Sequence, residues 1–208
     1  MEYIYLDMDR YPRKEHFAYY LSMGYPYVGV TANVDITAFL ANIKETREPF
    51  FLNMLYEVAA AANAVPEFRQ RILNGRIITY SICQTSHTVL RENGTFAYCR
   101  LACDKPKPEF LPYALEAQEK AKTSGDIQED PEQSRDLLFI SCLPWISYTS
   151  LTQAVPFPAD SNPRISWGKY FKSEGRILLP LSVLAHHALV DGKHIGDFYS
   201  LLSARLAG

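Results

Sequence analysis

The stretch LLPLSVLAHHALVDG, residues 178–192, decides the fold. Its first eight positions are almost all apolar, the pattern of a strand buried within a sheet. Two adjacent histidines, His186 and His187, stand where that strand ends. Alternation along a strand sends neighbouring side chains to opposite faces. One imidazole can therefore face a cleft while the other packs or pairs with backbone. Asp191 and Gly192 follow, and glycine permits a turn there that a side chain would hinder. A lone histidine ending an apolar strand is usually structural. A pair followed by Asp-Gly, holding with His194 three of the five histidines in the chain, shifts the balance toward chemistry.

Outward from this strand, HIGDFYSLLSARLA (194–207) reads as a closing helix, and LLFISCLPW (137–145) as a second buried strand. Residues 13–21 form a short helix after Pro12, and YPYVGVTANV (25–34) is β-branched and aromatic, a strand signal. Asp35 serves as N-cap of DITAFLANIKE, where Ile36, Phe39, Leu40 and Ile43 recur at helical spacing. Pro49 introduces a largely buried helix, FFLNMLYEVAAAANA. RIITYSICQ, HTVLRE and FAYCRLAC are short strands, the last two joined by a tight turn at ENG. ALEAQEKAKTSG is a surface helix, and residues 123–136 an exposed polar loop. Helices mixed with hairpin-like strands give an α/β protein with a mixed sheet. No repeat or linker divides the chain, so residues 1–208 are expected to form one domain.

Lys and Arg number 21 against 23 Asp and Glu, which gives no footprint for nucleic acid. No run of 18 apolar residues predicts a membrane helix. The N-terminal residues are charged throughout and lack a signal-peptide core, so the cytoplasm is the expected address. The four cysteines, Cys83, Cys99, Cys103 and Cys142, make no CxxC and are expected as free, mostly buried thiols. His186, His187 and His194 lack the HExxH spacing, so no metal is expected. A GxSxG elbow is also absent, which leaves a serine triad without support. A histidine acting as general base toward an external hydroxyl needs only a placed neutral imidazole and an oxyanion donor.

HHALVDG resembles the HHxxxDG signature of the CoA-dependent acyltransferases, and its flanks resemble the chloramphenicol acetyltransferase family. The resemblance runs in order through PRKEHF (12–17), VDIT (34–37), EFR (67–69), ISCLPW (140–145), GKY (168–170) and LLPLSV (178–183). It implies a two-layer sandwich and acetyl-CoA as co-substrate, with a small hydroxylated acceptor such as chloramphenicol. It also implies antibiotic resistance as a role and a homotrimer with active sites between subunits. Plentiful aromatic residues suit an interface, and HTVL and FAYCRL would leave an open sheet edge unless a neighbour covered it. Residue by residue, the family's general base falls on His187 and its oxyanion-binding serine on Ser141. Ser166 keeps the hydroxyl of a threonine thought to hold a catalytic water. Asp191 matches a structural aspartate paired with an arginine near the N-terminus, here Arg13. Lys169 and Tyr170 match contacts to the CoA phosphate and adenine, while a second phosphate-binding lysine is replaced by Pro49. In the acceptor pocket Tyr20 and Phe96 match aromatic residues, Val28 replaces a bulkier one and Phe139 replaces a polar asparagine. The rival readings are the same chemistry on another alcohol, and a catalytically silent ligand-binding relative.

Overall fold

A computed structural model describes residues 2–123 and 132–208. Its elements run β1 (Tyr3–Tyr5), α1 (Lys14–Leu21), β2 (Tyr27–Asp35), α2 (Thr37–Thr46), α3 (Phe50–Ala64), a 3-10 turn (Pro66–Arg69), β3 (Gln70–Leu73), β4 (Arg76–Tyr80), β5 (Gln84–Leu90) and β6 (Phe96–Leu101). They continue through α4 (Lys107–Thr123), β7 (Leu137–Leu143), β8 (Arg164–Gly168), β9 (Phe171–Ser173), β10 (Arg176–His186) and α5 (Gly192–Leu206). A seven-stranded sheet has the order β2-β10-β8-β7-β5-β6, with β9 also pairing β10. The β5–β7 and β7–β8 pairs are parallel and the others antiparallel, so the expected mixed sheet is found. A small second sheet, β1-β4-β3, was not foreseen.

One face of the large sheet carries the core. Leu138 and Ile140 of β7, Ile165 and Trp167 of β8, and Leu179, Leu181, Val183 and Ala185 of β10 are buried together with residues of the helices. The alternate residues of the same strands, among them Phe139, Ser141, Ser166 and Ser182, share the other face. The strand that opened the sequence reading is therefore β10, and it pairs with β2 over nine positions, Leu178–Asp35 to His186–Tyr27. Pro180 falls where the opposite edge changes partner, between β9 at 176–178 and β8 at 181–184, a site that tolerates a missing donor.

Helix α3 starts where Pro49 predicts and is buried along most of its length, including Leu52, Met54, Leu55, Val58, Ala61 and Ala62. Its one buried carboxylate, Glu57, is met by Arg205 of α5 at 2.7 and 2.8 Å and by Lys107 of α4 at 3.7 Å. A charge taken out of water needs such partners, and the cluster ties three helices into one layer. Three sequence expectations shift. Asp35 ends β2 instead of capping α2; its carboxylate accepts from the Thr37 N–H and hydroxyl, and Ile36 holds the cap position. Helix α4 begins seven residues before Ala114, because Pro108 sits in the first turn, where no donor is needed, and Pro112 costs only one bond. Of the polar loop, residues 124–131 lie outside the described residues, and its end is anchored, since Asp136 is buried against Arg100 at 2.5 Å.

Candidate active site

After His186 the chain turns, and the turn is held from three directions. The His187 N–H donates to the Pro26 carbonyl at 2.7 Å, and Leu189 and Val190 N–H groups donate to the His186 carbonyl at 3.0 Å. The His187 ring is stacked on Tyr20, with centroids 3.8 Å apart and planes 17° from parallel. Its Nδ1 lies 3.0 Å from the Val190 carbonyl oxygen. A carbonyl only accepts, so Nδ1 carries a proton, and in the neutral ring Nε2 holds the lone pair. His186, by contrast, is buried; its Nδ1 accepts from the Ala188 N–H at 3.2 Å, and its ring meets the edge of Tyr27. Burial lowers its pKa to about 4, with His187 acting in the same direction and Asp160 opposing.

Arg13 clamps this turn from below. Its guanidinium donates to the Leu189 carbonyl at 2.5 Å and lies 3.5 Å from that of His187. The same group is 3.3 Å from the Asp191 carboxylate, the pair expected from the sequence. Asp191 is also the N-cap of α5, accepting from Lys193 and His194 N–H groups, while His194 Nδ1 accepts the Asp191 N–H in return. This is a capping box with histidine where glutamate is usual. Burial works against the Asp191 charge, but His194, Arg13 and the two backbone donors outweigh it, and its pKa is lowered.

The second group of sequence-named residues lines a cleft of about 640 Å³ on the open face of the sheet. Ser141 and Phe139 line it, with Ser86, Tyr98, Gln153 and Arg164. Ser141 and Ser166 are register partners on the parallel strands β7 and β8. Ser166 is buried and accepts from Gln153 Nε2 at 3.0 Å. The Arg164 guanidinium sits 5.2 Å over the Phe139 ring and binds Asp160 through two 2.8 Å bonds; Tyr27 also donates to Asp160. Among the described residues, the cleft lining includes neither His187 nor Tyr20. Phe96 is half-exposed on β6, beside Tyr98. Val28 lies opposite Ala185 and packs on the core.

Lys169 and Tyr170 follow β8, and the Tyr170 ring lies 5.8 Å from Phe50 at the start of α3. That helix end has no acidic residue in its first turn. Among the described residues no group of three or more side chains is arranged to hold a metal. The sequence missed Tyr148, Gln153, Asp160 and Arg164. All belong to the segment 144–164 or its junction with β8, where no periodic pattern marks them.

A mixed-sheet α/β fold that carries a histidine held through Nδ1 by a backbone carbonyl, and a separate cleft lined by hydroxyls, can serve acyl transfer. The chain belongs to the chloramphenicol acetyltransferase family, whose match (CAT: Chloramphenicol acetyltransferase) spans residues 1–203. It is an acyltransferase of that type, a family that transfers acetyl from acetyl-CoA to a hydroxyl. A chloramphenicol acetyltransferase of Bacillus pumilus is 31% identical over 196 residues, covering 93% of this chain and 89% of the relative. Chloramphenicol acetyltransferase 3 of Escherichia coli is 30% identical over 207 residues, covering 97% and 96%. A solved chloramphenicol acetyltransferase superposes with TM-score 0.90 at 27% identity, over 99% of this chain and all of that one. The fold alone is shared with a dihydrolipoamide acetyltransferase of Azotobacter vinelandii, at TM-score 0.67 and 20% identity over 93% of this chain and 86% of that one.

Asparagine caps a helix about as well as aspartate, so Asp191→Asn isolates the pairing with Arg13. It should cost about 1 kcal/mol or less in urea denaturation, because the carboxylate is partly solvated. Asp191→Ala, which loses the cap as well, should cost about 1 kcal/mol more. Equal costs would mean that the charge and not the cap matters.

Burial lowers the His87 pKa to about 4, as it does that of His186. The unfolded chain binds protons on both near the ordinary value of 6.5, protons that the folded chain refuses until about pH 4. Stability is therefore full above that ordinary value and falls on acidification through this window, by about 1.4 kcal/mol per pH unit for each histidine. Denaturation curves at successive pH values should show this slope, and His87→Gln should halve it.

Proposed function

We propose that this chain is an acetyl-CoA-dependent O-acetyltransferase in which His187 is the general base. Its Nε2 would take the proton from an acceptor hydroxyl as that oxygen attacks the thioester carbonyl. The carbonyl oxygen becomes an oxyanion, toward which Ser141 donates; one such donor is worth about 3 kcal/mol in the transition state. Collapse of the tetrahedral species expels the CoA thiolate, and the proton held on His187 passes to the sulfur. The observation that carries this reading is the 3.0 Å approach of His187 Nδ1 to the Val190 carbonyl, which leaves Nε2 basic without needing a carboxylate. Tyr20 stacked on the ring keeps it from turning. Lys169 and Tyr170 would hold the CoA nucleotide. The acceptor is a small hydroxylated molecule, for which Phe139, Phe96, Tyr20 and Val28 shape the site. Chloramphenicol is the first candidate, because the relatives carry its name, and resistance to it would be the biological role.

The active enzyme is a homotrimer on this reading, with His187 of one subunit over the cleft of the next. Support comes from the division of the site: Ser141 and Phe139 line the cleft, and His187 and Tyr20 do not. The edge strand β6, its neighbour β5 and the segment after β7 also expose Leu90, Phe96, Tyr98, Trp145 and Phe157, the kind of apolar surface that interfaces cover. A cytoplasmic address fits four thiols that are all unpaired, with burial pushing Cys103 up to about 12 and Cys99 and Cys142 to about 11.

Thiol release from acetyl-CoA, followed across a panel of alcohols including chloramphenicol, tests the chemistry. His187→Ala should remove nearly all transfer with the fold and CoA binding kept, whereas His186→Ala should chiefly lower stability. Equal loss of turnover from both, in folded proteins, would refute the assignment of the base; no release with any alcohol would leave a silent binding protein. Light scattering at micromolar concentration tests assembly: full transfer by a species of 23.7 kDa would end the shared-site reading.

A further inference from the structure

Residues 144–153 lie as a strap over β8, and three contacts fasten them there. The Lys169 N–H donates to the Ile146 carbonyl at 2.7 Å. The Tyr148 hydroxyl donates to the Ser166 carbonyl at 3.0 Å, and Gln153 Nε2 donates to the Ser166 hydroxyl at 3.0 Å. The fit is close: a Cβ on Gly168 would stand 2.9 Å from the Tyr148 ring and 2.8 Å from the Ile146 carbonyl. Tyr148 is itself held, 3.3 Å from the Ser182 hydroxyl, which in turn lies 2.7 Å from that of Thr31. The strap thus has two grips on one residue, Ser166, the register partner of Ser141.

A hydroxyl has one hydrogen to give and two lone pairs to receive. With a lone pair taken by the Gln153 N–H, the Ser166 hydrogen needs an acceptor, and among the described residues none is found for it. Ser166 is buried, and Gln153 lines the same cleft as Ser141. Ser166 is not part of the cleft lining itself; it lies behind the wall beside its register partner Ser141. A buried hydroxyl whose hydrogen has no acceptor among the described residues is left to donate to a ligand or water that reaches it there. We infer that Gln153 is a positioning residue of the acetyl-transfer reaction: by donating to Ser166 it commits that hydroxyl to be a donor beside Ser141, toward the reacting carbonyl oxygen or a water bound to it. This rests on the acetyl-transfer reading. It adds a residue from the strap, outside every motif of the sequence, and explains why the strap is fastened at Ser166 and not merely packed on the sheet.

An amide has two ends, and turning Oε1 to Ser166 would instead consume the hydroxyl hydrogen. Gln153→Glu imposes that second arrangement, because a carboxylate only accepts. It should lower kcat about tenfold or more, to the level of Ser166→Ala, and leave the KM for acetyl-CoA within about twofold. In the double variant Gln153→Glu with Ser166→Ala the two losses should not multiply, since both remove one donor. Gln153→Leu, which keeps the volume without a charge, should show a smaller loss in kcat that also vanishes in the Ser166→Ala background; it decides the matter if the glutamate variant does not fold. Wild-type turnover in Gln153→Glu, or losses that multiply in the double variants, would overturn the positioning role while leaving acetyl transfer intact. Absence of thiol release from the wild-type protein with every acceptor would instead overturn the acetyl-transfer reading itself.

Discussion

The structure depends on how the turn after β10 satisfies its own backbone. Four residues, His187 to Val190, must reverse the chain between a central strand and a helix, and a reversal so deep in a protein exposes carbonyls with no ladder partner. Arg13, from the far end of the sequence, supplies the donors. One guanidinium reaches the Leu189 and His187 carbonyls and the Asp191 carboxylate together. The Val190 carbonyl is met by His187 Nδ1. The imidazole tautomer is thus set by the closure of a turn. On the proposed reading, chemistry and backbone accounting are the same contact.

That arrangement explains why two histidines stand together. His186 ends the strand on the face of Ser182 and Leu184, inside a cage of Tyr27, Asp160 and the turn itself, where burial keeps it neutral. His187 has already left the ladder and is only partly buried. The alternation of a strand separates the rings, and the turn then gives each a different partner through the same atom: the Nδ1 of one accepts, the Nδ1 of the other donates. Identical residues take opposite tautomers because their surroundings differ.

Much of this was legible in the sequence, for physical reasons that differ by element. Long apolar runs such as 178–185 and the helix after Pro49 are dictated by burial and one strong stop signal, and both were read correctly. The pairing of Arg13 with Asp191, 178 positions apart, is invisible to periodicity and came only through the resemblance of PRKEHF and HHALVDG to a family. Strand β8 went unread because Pro163 and Arg164 mask an apolar stretch, and the arginine is neutralised only by Asp160, four residues earlier. The start of α4 was hidden by prolines whose cost depends on their place in the turn. The strap residues Tyr148 and Gln153 were missed because their partners lie on β8 and β10, and nothing local marks a side chain that will reach across a sheet.

Asp191 answers to three masters: it starts α5, it neutralises Arg13, and its own N–H is received by His194, whose Nε2 lies 3.7 Å from Glu67. Such sharing has a consequence for substitution. Lysine at position 13 would keep the charge but not the fork that reaches two carbonyls, and a change at 194 would leave the cap half made. Positions 13, 191 and 194 are therefore coupled. A change at any one of them alters what the other two hold, whereas changes on the open face of the sheet leave this clasp untouched.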